Sequence, residues 1–231
     1  MTTPFFTKVR ELTEILLDII FPRHCILCQK DGASFCASCR CKMPIETSPI
    51  NHNTISLWRY DDDTVRKALW ELKYHGKRTL AHDLAESLHD KIFETLADEE
   101  LYQNPAGNSA NAGTYIVVPI PIHKKRRKER GYNQSELLAK ELCLLNPSLF
   151  IFEKKVLLKT KATESQVSVK DREKRLKNIQ GSFSIKNPER IIGKNVLVID
   201  DITTTGATLN EARQVLMKAG AKTVLCATIA H

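Results

Sequence analysis

Two adjacent carboxylates, Asp200 and Asp201, are the side chains of this sequence best suited to chemistry. They follow four apolar residues, Val196 to Ile199, which predict a strand buried on both faces of a sheet. From Leu209 onward the apolar spacing predicts an amphipathic helix. The loop between the acids and this helix is rich in small and hydroxyl side chains: Thr203, Thr204, Thr205, Gly206, Ala207 and Thr208. A strand, a small-residue loop and a helix in this order are typical of an anion pocket.

The loop and the acids suit different parts of one ligand. Backbone N–H groups at the start of a helix and threonine hydroxyls bind phosphate, and Gly206 lets the backbone approach closely. Asp200 and Asp201 would repel a phosphate, whereas they can accept hydrogen bonds from sugar hydroxyls or face a metal ion. An ordinary strand with a polar turn and a capped helix is the alternative, but it gives the paired acids no packing purpose.

Four cysteines form two Cys-x-x-Cys pairs separated by seven residues: Cys25, Cys28, Cys36 and Cys39. This spacing is typical of a small zinc ribbon, in which four thiolates surround one ion at roughly 2.3 Å. Because four sulfurs fill the coordination shell, the zinc would be structural. Disulfides and a redox motif are the alternatives, but the pattern favours a metal and a reducing, cytoplasmic compartment. Cys41 lies just outside the pattern and is a spare thiol or a substitute ligand.

The net charge of +8 includes two strongly basic segments. Six of the nine residues 123–131 are Lys or Arg, and they predict a basic loop after the apolar strand Tyr115–Ile122. Residues 154–177 carry nine Lys or Arg against three acids, within a polar excursion that is a disordered insert or a lid. Each segment is a phosphate or nucleic-acid contact or a solvated charge run. Aromatic residues are sparse there, with only Tyr132 near the first segment, which argues against base stacking.

Three stretches with different patterns divide the chain. Residues 1–22 predict an N-terminal helix that packs on the body of the protein, on a partner or on a membrane surface. Residues 23–50 hold the zinc-ribbon module. Residues 51–231 alternate strands and helices, with one strand predicted over Phe150 to Leu158, and indicate an α/β domain with a mostly parallel sheet and helices on both faces. We expect neither a membrane span nor a signal peptide.

The stretch from Lys194 to Leu209 resembles the phosphoribosyl-pyrophosphate (PRPP) binding motif of type I phosphoribosyltransferases. Nearly the whole chain, from about Leu12 to the end, is similar to the ComF family of competence-associated proteins in four features that occur in one order. These are the cysteine pairs, the turn Val118–His123 running into Arg130–Gln134, the segment from Thr163 to Phe183, and the Asp-Asp/Thr-Gly loop. The resemblance implies a type I phosphoribosyltransferase fold with an N-terminal zinc ribbon.

The resemblance also implies roles for individual residues. As catalytic residues, Asp200 and Asp201 would bind the ribose 2′- and 3′-hydroxyls and stabilise positive charge at the anomeric carbon. Thr203 to Thr208 would surround the 5′-phosphate, and Mg²⁺ would accompany PRPP. The basic segment 159–183 would be a hood that closes on PRPP. Contacts to pyrophosphate or nucleic acid would come from Arg126, Arg127, Arg130, Gln166, Arg172 and Arg175.

Two functions remain open from the sequence. The first is a phosphoribosyltransferase that transfers ribose 5-phosphate to an unidentified acceptor. The second is a non-catalytic protein that keeps the PRPP pocket and handles single-stranded DNA. The family's link to competence, DNA uptake and proteins of the competence machinery favours the second. Related amidophosphoribosyltransferases hydrolyse glutamine with an N-terminal cysteine, and this activity is not expected here because the chain begins Met1-Thr2.

Overall fold

The computed structural model describes residues 22–47, 51, 53–74, 79–103, 113–160 and 179–231, with the side chains of residues 99–103 excepted. The predicted N-terminal helix lies outside the described residues. Most of the predicted hood, including Gln166, Arg172 and Arg175, also lies outside them.

A five-stranded parallel sheet forms the centre of the described structure. Seven strands are numbered in chain order: β1 Thr54–Trp58, β2 Tyr115–Pro119, β3 Phe150–Phe152, β4 Leu157–Lys159, β5 Phe183–Ile185, β6 Asn195–Ile202 and β7 Thr223–Ala230. The large sheet has the order β1-β7-β6-β2-β3, and every neighbouring pair in it is parallel. The long apolar strand β6 is therefore central, as its buried run Val196–Ile199 predicts.

Helices cover both faces of this sheet. The α-helices of the described residues are α1 Ala37–Arg40, α2 Asp63–Tyr74, α3 Leu80–Gln103, α4 Lys124–Arg130, α5 Gln134–Leu145 and α6 Ala207–Lys218. Side chains alternate along β6, so Leu197 and Ile199 enter the core with α3 and α5, whereas Val196 and Val198 enter the core with α6. The predicted fold class, a mostly parallel sheet with helices on both faces, is confirmed.

Two local predictions are wrong. Phe150 to Leu158 is not one strand, because β3 ends at Phe152 and β4 pairs antiparallel with β5 in a separate hairpin. The apolar residues of β3 and β4 serve opposite faces, since Phe150 packs with α3 whereas Leu157 packs with α6. The basic loop is mostly the helix α4, which His123 caps at its start and Gly131 ends with a left-handed φ of 76°.

The cysteine module packs directly on the larger domain. The rings of Phe35 and Trp58 meet edge to face with their centroids 5.8 Å apart. The Phe35 backbone N–H donates to the Asp83 carboxylate at 2.7 Å, and Arg40 forms an ion pair with Glu86 at 2.8 Å. Because Phe35 and Trp58 belong to the same buried cluster, the module and the sheet share one hydrophobic core.

No helix in the described ranges is both long enough and apolar enough to cross a membrane.

Candidate functional site

The paired acids lie at the carboxyl end of the central strand. Strand β6 continues through Asp200 and Asp201 to Ile202, and Ile199 pairs with Pro119 at the end of β2. The threonine loop follows, and α6 begins at Ala207 directly after Gly206, whose φ is 72°. This left-handed conformation favours glycine, because a side chain there would strain the backbone. The crevice beyond the carboxyl ends of parallel strands is where α/β proteins bind ligands.

Asp201 is held by a lysine that the sequence analysis did not identify. The Lys73 ammonium lies 2.9 Å from the Asp201 carboxylate, and the two side chains are only 20% and 10% exposed. Burial by itself would lower the pKa of Lys73, but the charges of Asp201 and Asp200 and a hydrogen bond to Asp201 outweigh it and raise that pKa. Lys73 is therefore a fixed positive charge beside the acids.

Asp200 has different partners. Its Oδ1 atom accepts hydrogen bonds from the Ser135 hydroxyl at 2.8 Å and from the Asp201 backbone N–H at 2.9 Å. Burial of the carboxyl group, followed by the negative charge of Asp201, raises the pKa of Asp200 to about 7. Near neutral pH this group can therefore hold or release a proton, and it can donate or accept a hydrogen bond.

A cavity of about 950 Å³ brings the acids, the loop and several cations together. Its walls include both aspartates, residues 203–208, and six basic side chains, among them Lys73, Arg126, Arg130 and Lys159. Burial lowers the pKa of Lys159, an effect that the charge of Asp200 opposes and that of Arg126 reinforces. Acids next to cations in one cavity suit a ligand that carries both hydroxyl and phosphate groups.

The three predicted arginines of α4 have two kinds of position in the structure. Arg126 and Arg130 line the cavity. Arg127 does not line it and instead forms an ion pair with Glu136 on α5 at 3.1 Å. Glu136 also contacts two lysines of its surroundings, Lys140 at 3.3 Å and Lys154 at 3.1 Å. The structure therefore places Arg127 as a tie between α4 and α5.

The residues after α4 fix the geometry of the cavity wall. The Tyr132 hydroxyl donates to the Leu72 carbonyl on α2, and the Asn133 amide donates to the Ile120 carbonyl at 2.9 Å. Asn133 also caps α5, because its Oδ1 atom accepts from the Ser135 backbone N–H at 3.2 Å. These bonds join α2, the end of β2 and the start of α5. They thereby position the Ser135 hydroxyl next to Asp200.

Sequence reasoning also missed the aromatic residues of the cavity wall, among them Trp70 and Tyr74. The Arg130 guanidinium lies 5.2 Å from the centre of the Tyr74 ring, and its Nη2 atom is 3.3 Å from the Tyr74 hydroxyl. The sequence analysis found only Tyr132 near the first basic segment, and the structure corrects this, because folding brings Tyr74 into contact with Arg130. No spacing rule could have found it, since 56 positions separate the two residues.

The four predicted cysteine ligands form a cluster. The Sγ atoms of Cys25, Cys28, Cys36 and Cys39 all lie within 4.8 Å of one another. The Cys28 and Cys36 sulfurs are 3.6 Å apart, a separation that suits two ligands of one tetrahedral ion. The Ser38 hydroxyl is the main cause that lowers the pKa of Cys36 to about 6, and thiolates are the form that binds metal. This cluster can hold a metal ion such as zinc, and the exposed Cys41 is not part of it.

Comparison with known proteins agrees with the geometry. The model of the phosphoribosyl transferase domain family matches residues 130–231, which contain both aspartates and the threonine loop. Competence protein F of Haemophilus influenzae is 36% identical over 110 residues, 47% of this chain and 46% of that protein. Competence protein ComFC of Bacillus subtilis is 28% identical over 202 residues, 85% of this chain and 72% of that protein.

A third relative is the DNA utilization protein YhgH of Escherichia coli O157:H7, which is 31% identical over 120 residues. The match covers 49% of this chain and 49% of that protein. The chain thus spans about half the length of the Haemophilus and Escherichia relatives and nearly three quarters of the Bacillus one.

Proposed function

The chain is a phosphoribosyltransferase-like protein of the ComF family, and from this premise we propose that it binds PRPP or ribose 5-phosphate together with Mg²⁺. One observation carries the proposal. Asp200 and Asp201 end the central strand in the same cavity as the threonine loop at the start of α6. The acids match the ribose hydroxyls and the loop matches the 5′-phosphate.

The cations of the cavity complete this assignment. Arg126, Arg130 and Lys159 line the cavity with the acids and would bind the pyrophosphate of PRPP. Asp201 is already paired with Lys73, whereas no ion pair to Asp200 is found within the described residues. Asp200 is thus the carboxylate best placed to face a cation. Bound Mg²⁺ would supply charge neutralisation of the pyrophosphate.

The same residues suit transfer of the ribosyl group as well as binding. The bond between the anomeric carbon and the pyrophosphate oxygen would break, and the electron pair would leave with pyrophosphate. The negative charge of Asp200 and Asp201 would stabilise the cationic sugar, and Arg126, Arg130 and Lys159 would stabilise the departing anion. An acceptor with a lone pair would then form the new bond to the anomeric carbon.

The test is isothermal titration of the chain with ribose 5-phosphate and with PRPP in the presence of Mg²⁺. We expect the wild-type chain to bind both. Exchange of both acids, Asp200→Asn with Asp201→Asn, should weaken binding at least tenfold, because a neutral amide binds a sugar hydroxyl less strongly than a carboxylate. Asp90→Asn is the matched control, since Asp90 is exposed on α3 and does not line the cavity. A wild-type chain that binds neither compound would overturn the proposal.

Turnover requires a separate measurement. Release of pyrophosphate from PRPP, with candidate acceptors added one at a time, distinguishes a transferase from a protein that only binds. The double aspartate variant should lose this activity if transfer occurs.

We further propose that the cysteine cluster holds one structural zinc ion. Metal analysis of the purified chain should find about one zinc per chain. Cys28→Ser should lose this zinc, because it removes one of four ligands. Cys41→Ser is the matched control, since Cys41 is exposed and outside the cluster, and it should keep the ion.

Handling of single-stranded DNA is a second candidate function. Three lysines of α4 are exposed and do not line the cavity: Lys124, Lys125 and Lys128. They form a positive surface on the same short helix as Arg126 and Arg130, which line the cavity. The names of the relatives, competence proteins and a DNA utilization protein, support this function. We also propose that the protein acts in the cytoplasm and has proteins of the competence machinery as partners.

The salt dependence of strand binding tests this second function. Affinity for a short oligothymidine should fall with rising salt, with a slope set by the number of phosphates contacted. Exchange of Lys124, Lys125 and Lys128 for Gln should lower affinity and reduce that slope. The control exchanges three exposed lysines outside α4, Lys42, Lys218 and Lys222. Equal loss in both triple variants would show nonspecific attraction and count against a binding surface on α4.

A further inference from the structure

We propose that the cavity holds the 3′-terminal nucleotide of a single DNA strand, with its free 3′-hydroxyl on the paired acids and its base stacked on Trp70. This inference rests on the proposed function, because it places a strand end in the pocket assigned to a ribose phosphate. It joins the two candidate functions through one ligand and identifies which part of a DNA strand the cavity can accept.

The acids select the strand end. Asp200 and Asp201 lie beside each other in the wall of the cavity, and in the described structure Lys73 is the cation paired with Asp201. An internal nucleotide carries a phosphodiester on its 3′-oxygen, so it has no hydroxyl to donate there and brings a negative charge next to Asp200, which has no ion pair within the described residues. A terminal nucleotide instead offers a 3′-hydroxyl, which can donate a hydrogen bond to a carboxylate. The acids therefore fit the 3′ end and reject the interior of a strand.

The threonine loop fits the other side of the same nucleotide. The 5′-phosphate of a 3′-terminal nucleotide is the last phosphodiester of the strand. Backbone N–H groups at the start of α6 and the hydroxyls of the loop, which line the cavity, can bind its two free oxygens. A 5′ end would not fit in this orientation, because its 3′-phosphodiester would meet the acids.

Trp70 supplies a platform for the base. Its side chain is 51% exposed and lines the cavity, although a buried position is usual for so large an aromatic group. The Tyr74 ring lies beside it, with the centroids 6.0 Å apart and the planes 48° apart. Tyr74 is held in turn by the Arg130 guanidinium over its ring. A cavity of about 950 Å³ exceeds the space that a ribose phosphate requires and leaves room for a base.

Positively charged side chains of α4 can bind the phosphates of the rest of the strand. Arg126 and Arg130 line the cavity, and the exposed lysines of α4 continue the positive surface outside it. Phosphates that precede the terminal nucleotide would follow this helix toward solvent. The contact requires no sequence preference, since every base presents an aromatic face to Trp70.

The experiment compares three oligothymidines of equal length by fluorescence anisotropy at fixed salt with Mg²⁺. One carries a 3′-hydroxyl, one a 3′-phosphate, and one a 5′-phosphate together with a 3′-hydroxyl. We expect the 3′-phosphate to weaken binding about tenfold or more. The 5′-phosphate should change little, because that end lies outside the cavity. The fluorescence of Trp70 should be quenched by the 3′-hydroxyl strand, whereas Trp58, 3% exposed, should respond little.

Variants test whether Asp200, Asp201 and Trp70 cause the preference for a 3′-hydroxyl strand. Asp200→Asn with Asp201→Asn should bind the 3′-hydroxyl and 3′-phosphate strands with nearly equal affinity. Trp70→Ala should lose about tenfold in affinity for the 3′-hydroxyl strand, which is typical for loss of one stacked base, and Trp70→Phe should retain most of it. Phe93→Ala is the matched control, since Phe93 is 55% exposed on α3 and does not line the cavity.

The outcomes separate this inference from the proposed function. If ribose 5-phosphate binds but the two 3′ forms bind equally, or no oligothymidine binds, recognition of a strand end is wrong and the ribose-phosphate pocket stands. If ribose 5-phosphate does not bind but the 3′-hydroxyl preference depends on the two acids, the strand-end site stands and the proposed function is wrong. A loss on Phe93→Ala equal to that on Trp70→Ala would also overturn the inference.

Discussion

Asp200 and Asp201 are neighbours in the chain but have different chemical surroundings. Asp201 is paired with the Lys73 ammonium, whereas Asp200 accepts hydrogen bonds from Ser135 and from the backbone. Asp201 thus lies against a cation, whereas the pKa of Asp200 is raised to about 7. A carboxyl group whose pKa is raised and which lies in a cleft often marks a functional site, because an ionised carboxylate without its ligand costs stability.

The raised pKa of Asp200 predicts how stability depends on pH. An unfolded aspartate titrates near 3.8, whereas the folded group titrates near 7. The folded chain holds this proton more tightly, so the stabilising contribution is complete below about pH 4 and is lost as pH rises to about 7. Asp200→Asn should therefore melt at a higher temperature than the wild-type chain at pH 8, and the difference should vanish near pH 4.

Thermal denaturation across this pH range, without ligand, is the measurement. Asp90→Asn, which alters an exposed carboxylate, should follow the wild-type curve. Parallel curves for Asp200→Asn and the wild-type chain would show that Asp200 titrates at an ordinary pH.

The ion pair between Lys73 and Asp201 gives a second prediction. Lys73→Met leaves a carboxylate that is 10% exposed without its cation, so stability at pH 8 should fall by roughly 2 kcal/mol. The double variant, with Asp201→Asn added, should recover most of this loss because no unpaired charge remains. Urea denaturation of the four chains of this cycle measures the coupling. Additive losses would mean that the pair is not coupled.

At the scale of elements, the cysteine module is part of the body of the protein. Phe35 of the module and Trp58 of β1 share one core, and Arg40 forms an ion pair with Glu86 on α3 and donates to the Asp83 carbonyl. The four cysteine ligands lie on two short turns that have little core of their own. Their order therefore depends on the metal and on the contact with the larger domain.

Metal removal should consequently affect the larger domain. Treatment with a strong chelator, or Cys28→Ser, should lower the melting temperature by several degrees and change the fluorescence of Trp58, because the Phe35 contact would loosen. Cys41→Ser should have neither effect. Loss of metal with an unchanged melting temperature and spectrum would show that the module is held by packing alone.

The helix α4 shows how an element changes the meaning of a charge run. As a loop, residues 123–131 would present every basic side chain alike. As a helix, they separate into Arg126 and Arg130 on the cavity wall and Arg127 against Glu136, with the lysines exposed. The caps, His123 and Gly131, were visible in the sequence and could have predicted this helix.

At the scale of the whole molecule, the ribose-phosphate pocket and the proposed DNA surface overlap. Arg126 and Arg130 belong both to the cavity wall and to the basic helix α4. Saturating PRPP should therefore weaken binding of single-stranded DNA at constant ionic strength by several-fold or more, and DNA should weaken PRPP binding by the same factor. Sodium pyrophosphate and sodium sulfate at matched ionic strength separate a pocket effect from simple screening. Unchanged DNA affinity at saturating PRPP would place the strand on another surface.

The sequence by itself determined the features that depend on residues close together in the chain. The buried strand Val196–Ile199, the acids after it, the glycine at the start of α6 and the cysteine pairs all follow from local spacing. So does the alternation of strands and helices, which indicates a parallel sheet. Local patterns are sufficient here because a strand, a loop and a helix start form one continuous unit of chain.

Only the tertiary structure decided the partners of those residues. Lys73 meets Asp201, Ser135 meets Asp200, and Tyr74 meets Arg130. Each pair joins separate elements that the sheet order β1-β7-β6-β2-β3 brings to one edge. The structure also separated Phe150 from Leu157, which the sequence analysis placed in one strand, because β4 pairs with β5 in a separate hairpin. Contacts between distant segments depend on how elements pack, and side-chain types in the sequence do not encode that geometry residue by residue.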